Sequence, residues 1–282
     1  MEHVFSGPST RADKPHIKSA EMVSVIDPVH ITYDPRRASQ KRLETAALEC
    51  SKLNNITYFS KGLNILVSHK YKVTVTRIPK AGSTTWQHVM HEIDPVSGDP
   101  ESRRRLSSLA PPEFDQYVRG VFFREPLERL VSYYHYHICP PGPVPTLYFH
   151  RYYKYMRKGH VNATMNNKPY LTFIQFVQLV LDYDQIPSQS YHWRHQYLLS
   201  RICEFNYTFI GHMDHLAQDA PYFMNLAVGD SFHYPEVHTT RGESRFRETI
   251  STLSQKLIDQ LIDHYKLDYK ILGFEIPNFS KK

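Results

Sequence analysis

The sequence predicts an α/β fold: a single P-loop-like domain with a central parallel sheet flanked by helices. Three observations predict it. A β-branched run at residues 72–78 feeds straight into a Gly- and hydroxyl-bearing turn that opens a helix. A second apolar run, 117–123, enters Arg124-Glu125-Pro126 in the same way, and amphipathic helical stripes recur towards the C-terminus. Strand–loop–helix units in series favour a parallel sheet, because parallel neighbours need a crossover long enough to hold a helix. The 282 residues suffice to bury one sizeable core.

Taken in order, residues 1–45 carry scattered prolines (Pro8, Pro15, Pro28, Pro35) and charges without periodicity, and are expected to form an extended arm or stem. The domain is expected over residues 46–282. Residues 72–78 alternate as a strand, and the helix after the turn is predicted to run to about Glu92. After the strand at 117–123, Pro126 suits a first helical turn, and Leu127, Leu130, Val131 and Tyr134 recur at helical spacing. Residues 139–145 read as a loop. In 150–158, Arg151, Lys154, Arg157 and Lys158 share one helical face, either an acceptor contact or a solvated basic surface. Phe173, Phe176, Val177, Val180 and Leu181 give a helix over 172–182 one apolar side. Residues 207–211 read as a short buried strand, with Asp214 capping the next helix. A last stripe runs from Leu253 through Leu257, Ile258, Leu261 and Ile262 to Tyr265.

The net charge of +6 and a pI near 9.0 point to an anionic partner without saying which: nucleotide, polyanionic glycan, nucleic acid or membrane surface. No run of about 18 apolar residues occurs, so no spanning segment is expected, and residues 1–18 lack the apolar region of a secretory signal. Three cysteines, Cys50, Cys139 and Cys203, are too few for a disulfide scaffold, and the odd count leaves one unpaired within the chain. No C-x-x-C pair occurs, so no thiolate metal site is expected. Sequons begin at Asn55, Asn162, Asn206 and Asn278, an excess that leans towards a secretory history, with Asn206 expected to be shielded at the start of a core strand.

Two loops carry the chemistry. In Pro79-Lys80-Ala81-Gly82-Ser83-Thr84-Thr85-Trp86, a strand ends in a turn and a helix begins on three hydroxyl residues. Free N–H groups, hydroxyls and the helix dipole all favour an anion there. Lys80 adds a point charge able to follow charge that develops on a leaving group. The Lys precedes the Gly, so this is not a Walker A loop. In the second loop, Arg124 offers a planar fork to a phosphate, and Arg129 and Ser132 follow within the next helical turns.

The first segment resembles the 5′-phosphosulfate loop of sulfotransferases. Phe123-Arg124-Glu125-Pro126-Leu127-Glu128-Arg129-Leu130-Val131-Ser132 resembles their 3′-phosphate motif, in the version found in the Golgi carbohydrate sulfotransferases of the chondroitin 4-O-sulfotransferase and HNK-1 sulfotransferase group. Further segments agree in order: His192-Trp193, Cys203 to Tyr207, Ile210-Gly211, Asp219-Ala220, Tyr265 to Asp268 and Gly273-Phe274. Ser200 stands where the family has the first Cys of a C-x-x-C pair, Asp214 replaces a Glu, and Tyr191 replaces an acidic residue before His192. The resemblance implies the PAPS-dependent sulfotransferase fold, PAPS as co-substrate without a metal, and a location in the Golgi lumen. It implies a sulfated or acidic glycan as acceptor, with chondroitin or dermatan N-acetylgalactosamine as the expectation. Neither nucleic acid nor membrane contact by this chain itself is expected.

The resemblance implies that Lys80 contacts the oxygen bridging the 5′-phosphate and the sulfuryl group. Pro79, Ala81, Gly82, Ser83, Thr84 and Thr85 would form the phosphosulfate cradle. Arg124, Arg129 and Ser132 would serve the 3′-phosphate, and Trp86 is either an adenine contact or core. A general base must be a His or carboxylate near the acceptor hydroxyl. The interval between the loops offers His88, His91, Glu92, Glu101, Glu113 and Asp115, and His192 is the choice favoured by its motif. Two other classes compete. A P-loop kinase or nucleotide hydrolase would need Mg²⁺ ligands after a strand. An inactive polyanion-binding relative would rely on Arg103-Arg104-Arg105 and the 151–158 face.

Overall fold

A computed structural model describes residues 33–56, 63–139, 164–165, 168–182, 191–229, 234–235 and 240–279. Its centre is a sheet of β1 (Ile65–Ser68), β2 (Val73–Thr76), β3 (Val118–Phe123) and β4 (Phe209–His212), paired in that order. β2, β3 and β4 are parallel, with Val75 opposite Gly120 and Phe122 opposite Gly211, and β1 runs antiparallel on the outside of β2. Every residue of β1, β2 and β4 is buried, as expected of a sheet covered on both faces. The fold class read from the sequence is the fold observed.

Helix α2 (Ser83–Ile93) crosses from β2 to β3, followed by the short α3 (Pro100–Ser107) and α4 (Pro111–Phe114). α5 (Pro126–Tyr133) leaves β3 and passes into a π-helical turn, Tyr134–Ile138. α6 (Phe173–Leu181), α7 (Gln196–Ser200) and α8 (Leu216–Val228) follow. α9 (Thr240–Ile250), α10 (Gln255–His264) and α11 (Lys266–Leu272) close the chain. Trp86, Val89 and Met90 of α2 meet Phe122, Phe209 and Phe223 on one side of the sheet. Val121, Phe123 and Ile210 meet Ile271 and Leu272 of α11 on the other. Glycine is required at two close approaches: a Cβ on Gly120 would lie 2.3 Å from the Phe223 ring of α8, and one on Gly211 would lie 2.2 Å from the ring of Phe122 on the neighbouring strand.

The expectation of an extended arm up to residue 45 is corrected for its last part. Helix α1 spans Pro35–Ser51, with Asp34 as its N-cap and Pro35 in its first turn. On its buried side Ala46 packs into the core, while Ser39 and Arg42 serve the outer edge of β4. The Ile210 N–H donates to Ser39 Oγ at 2.9 Å, and Arg42 donates to the Ile210 carbonyl at 3.0 Å and to Asp219 at 2.7 Å. An open sheet edge is thereby satisfied by side chains instead of another strand. A disulfide, Cys50–Cys203, pins the end of α1 to the loop before β4, and Cys139 takes no part in it. Asn206, expected to be shielded, is exposed. The basic segment 150–158 and Asn162 lie outside the described residues.

Candidate active site

The anion loop forms where β2 ends. Lys80 and Gly82 both take left-handed backbone, with φ of 66° and 72°. For Lys80 that conformation costs about 1–2 kcal/mol, so the turn must be held from outside. Arg129 holds it. Its Nε donates to the Pro79 carbonyl at 2.9 Å and its Nη1 to the Arg194 carbonyl at 2.8 Å, and it is only 1% exposed. Gly82 caps α2 without a side-chain bond, so the first N–H groups of the helix face outward beside the hydroxyls of Ser83, Thr84 and Thr85. Pro79 and Ala81 are buried and contribute backbone alone.

Arg124 stands at the corresponding end of β3. Its backbone is clamped on both sides by the buried Gln196, whose Oε1 accepts from Arg124 N at 3.1 Å and whose Nε2 donates to Arg124 O at 2.7 Å. Its guanidinium lies 3.3 Å from the Glu128 carboxylate, a partly exposed pair. Ser132 is half-buried in the last turn of α5. Next to Arg124 opens a cleft of about 540 Å³, lined among others by Arg42, Met213, Asp214 and Phe274. Met213 is also the side chain nearest Gly82, so the cleft adjoins the loop.

The site has an excess of positive charge, and its ionisable groups register it. Burial, followed by the charge of Arg124, pulls Lys80 down to about 8. The Lys80 ammonium lies 4.0 Å above the ring of Tyr136. His192 is held down to about 4 by burial, then by Arg129 and Lys80. His137 is held down to about 4 by burial, then by His192 and Lys80. The two imidazoles are 5.0 Å apart, and both lie against Tyr133.

The structure therefore brings together Lys80, Arg124 and His192 from the sequence-predicted set, together with the cradle residues. Two further residues of that set are buried. Trp86 is 1% exposed and packs on Phe122, Phe223 and Tyr234, so its indole is a wall of the core. Arg129 is a buried brace, because both carbonyls it satisfies belong to the loops around the site. The other candidate bases do not converge on Lys80. His88, His91 and Glu92 are exposed along α2, with Glu92 about 13 Å from its start. Glu113 and Asp115 are exposed around α4, and Glu101 is bound to Arg104. Reasoning from sequence missed Gln196 and His137. Gln196 was legible only as the residue three past a motif tryptophan. His137 lies five residues beyond Ser132, where the 3′-phosphate motif ends.

The sequence profile of the Sulfotransferase family matches residues 63–275, which takes in both loops and the His192 segment. The chain belongs to that family. Among the relatives of this sulfotransferase, zebrafish (Danio rerio) carbohydrate sulfotransferase 10 is 25% identical over 96% of this chain and 83% of its own length. Zebrafish carbohydrate sulfotransferase 14 is 26% identical over 76% of this chain and 63% of its own length. Rat (Rattus norvegicus) carbohydrate sulfotransferase 11 is 24% identical over 77% and 69%. No solved structure matches the sulfotransferase. Among the described residues no helix is long and apolar enough to cross a membrane, and no group of three or more His, Cys, Asp or Glu is placed to hold a metal ion.

Proposed function

We propose that this sulfotransferase takes its sulfuryl group from PAPS and delivers it to a glycan hydroxyl in the Golgi lumen. One observation carries the donor half. A helix N-terminus, Lys80 and Arg124 converge at one end of the sheet, close enough for Arg124 to depress the Lys80 ammonium. That donor set fits a nucleotide with anionic groups at both ends. Gly82 to Thr85 hold the 5′-phosphosulfate through backbone N–H groups and hydroxyls. Arg124 and Ser132 hold the 3′-phosphate, and the adjoining cleft receives the nucleoside. Lys80 meets the bridging oxygen and stabilises the charge that gathers there as the bond to sulfur breaks. An imidazole beside Lys80 takes the proton of the acceptor hydroxyl; His192 is the one its motif singles out.

The glycan half rests on the relatives, whose names specify carbohydrate acceptors. An acidic or sulfated glycan, such as chondroitin or dermatan, suits the net charge of +6. The Cys50–Cys203 disulfide supports a lumenal location, since such bonds persist in oxidising compartments. The test is transfer of labelled sulfate from PAPS across a panel of glycans, run beside Lys80→Ala and Arg124→Ala. Transfer by the wild type that falls at least 100-fold in both variants is expected. Undiminished transfer in either variant overturns the site, and absence of transfer to every glycan overturns the acceptor class.

A further inference from the structure

We propose that His137 is a catalytic residue of this site, the group that takes the proton from the acceptor hydroxyl, with His192 stacked behind it as a positioning residue. The proposal rests on the sulfotransferase reading above and moves one role, that of the base, from the imidazole its motif favours to the neighbouring one.

The geometry starts from the π-helical turn. At the end of α5 the backbone bond runs from Cys139 N to Tyr134 O at 2.8 Å, an i to i+5 closure. Single π turns inside helices recur at functional sites because the extra residue re-aims the side chains that follow. Here two successive side chains reach the anion loop. The Tyr136 ring lies beneath the Lys80 ammonium at 4.0 Å, and the His137 ring sits 4.6 Å from the Tyr136 ring. His137 also touches Tyr133 at 4.7 Å and His192 at 5.0 Å. The chain Lys80–Tyr136–His137–His192 thus joins the group that meets the leaving oxygen to an imidazole. Tyr136 is 53% exposed, so this end of the chain opens to solvent, where an acceptor arrives.

The two imidazoles are not equivalent. His192 stacks on Tyr133 and lies next to Arg129, whose buried charge is the largest electrostatic influence on it. A proton on His192 would put a second cation beside a buried one. Among the described residues, the charged or titratable groups facing His137 include His192, Lys80 and the two phenols, and the anionic donor offsets Lys80. In the step itself the hydroxyl oxygen bonds to sulfur, and the bond between sulfur and the bridging oxygen breaks. The electron pair of that bond leaves on the 5′-phosphate of adenosine 3′,5′-bisphosphate, beside Lys80. The hydroxyl proton passes to a neutral ring nitrogen of His137 and later to solvent.

The test compares His137→Ala, His137→Asn and His192→Ala with the wild type. It measures kcat at saturating PAPS, calorimetric affinity for adenosine 3′,5′-bisphosphate, and Tm. Both His137 variants are expected to lose about 100-fold or more in kcat, with affinity within twofold and Tm within about 2 °C of wild type. Added imidazole is expected to restore part of the activity of His137→Ala but not of His192→Ala. A kcat within threefold of wild type in His137→Ala overturns the proposal. So does a loss of activity matched by loss of nucleotide affinity or of Tm, or rescue confined to His192→Ala. A wild type that neither binds the bisphosphate nor transfers sulfate refutes the donor reading itself, and this inference falls with it.

Discussion

Replacing Arg129 separates a brace from a phosphate contact. The guanidinium satisfies the carbonyls of Pro79 and Arg194 and is fully buried. Arg129→Met leaves two buried acceptors without donors, each costing about 1–3 kcal/mol. It also removes a cation whose burial is itself unfavourable, which offsets part of that loss. The expected net cost is therefore about 2–4 kcal/mol, read as a lower urea midpoint with an unchanged slope. Arg129→Lys can reach one of the two carbonyls and is expected to recover about half. Nucleotide affinity should fall together with stability, because the left-handed turn at Lys80 loses its external support. A variant of wild-type stability whose affinity for adenosine 3′,5′-bisphosphate has dropped 100-fold would refute this account. It would place Arg129 on the donor.

Three further outcomes follow from the same contacts. Gln196→Leu removes both bonds that clamp the Arg124 backbone, and calorimetry should find the bisphosphate bound about 30-fold more weakly, in line with two hydrogen bonds of roughly 1 kcal/mol each. In subsaturating PAPS, the rate should fall below about pH 4, where the imidazole is protonated and cannot accept a proton. It should also fall above about pH 8, where Lys80 loses the charge that stabilises the leaving oxygen, so a flat pH–rate profile across both regions removes these groups from the mechanism. Reducing the Cys50–Cys203 bond, or replacing both cysteines by Ser, frees a loop closed over 153 residues, and urea unfolding should show a loss of about 2–5 kcal/mol.

The elements legible in the sequence were those whose burial follows an apolar pattern. The strand expected at 117–123 is Val118–Phe123, the helix at 172–182 is Phe173–Leu181, and the last stripe is Gln255–His264. Helix α1 was not legible, because two of its three buried residues, Ser39 and Arg42, are polar and satisfy a sheet edge, which leaves only a thin apolar stripe at Leu43, Ala46 and Cys50. β1 was missed because four residues lying antiparallel to β2 leave no crossover to announce them. The loops of the site were legible because their chemistry is local: Lys80 and Gly82 to Thr85 are contiguous, and Arg124 ends a strand. Gln196 and His137 act across 72 residues and through a π turn, respectively, and neither leaves a pattern in the chain. Trp86 and Arg129 matched motif positions, yet they fill and brace the structure around the donor site.

The balance of charge explains why a base this weak can serve. Lys80, Arg124 and Arg129 crowd one end of the sheet, and Asp268 is the buried carboxylate whose charge reaches Arg129. Asp268 accepts from the N–H groups of Gln196 and Tyr197 at 2.9 Å, so it orders the start of α7 as well as facing the cation. Before the donor arrives, burial and then the neighbouring cations keep both imidazoles neutral and Lys80 only partly charged near pH 8. An anionic nucleotide offsets the cationic share of both effects at once, because opposite charge favours the protonated form of every base beside it. His137 should become more basic and Lys80 more fully charged at the moment each is needed, one to receive a proton and the other to meet a leaving oxygen. Titration of the imidazole protons by NMR should then show the His137 midpoint rising from about 4 when adenosine 3′,5′-bisphosphate is added, and an unmoved midpoint would break the link between donor binding and base strength. Coupled in this way, proton removal from the acceptor follows donor binding.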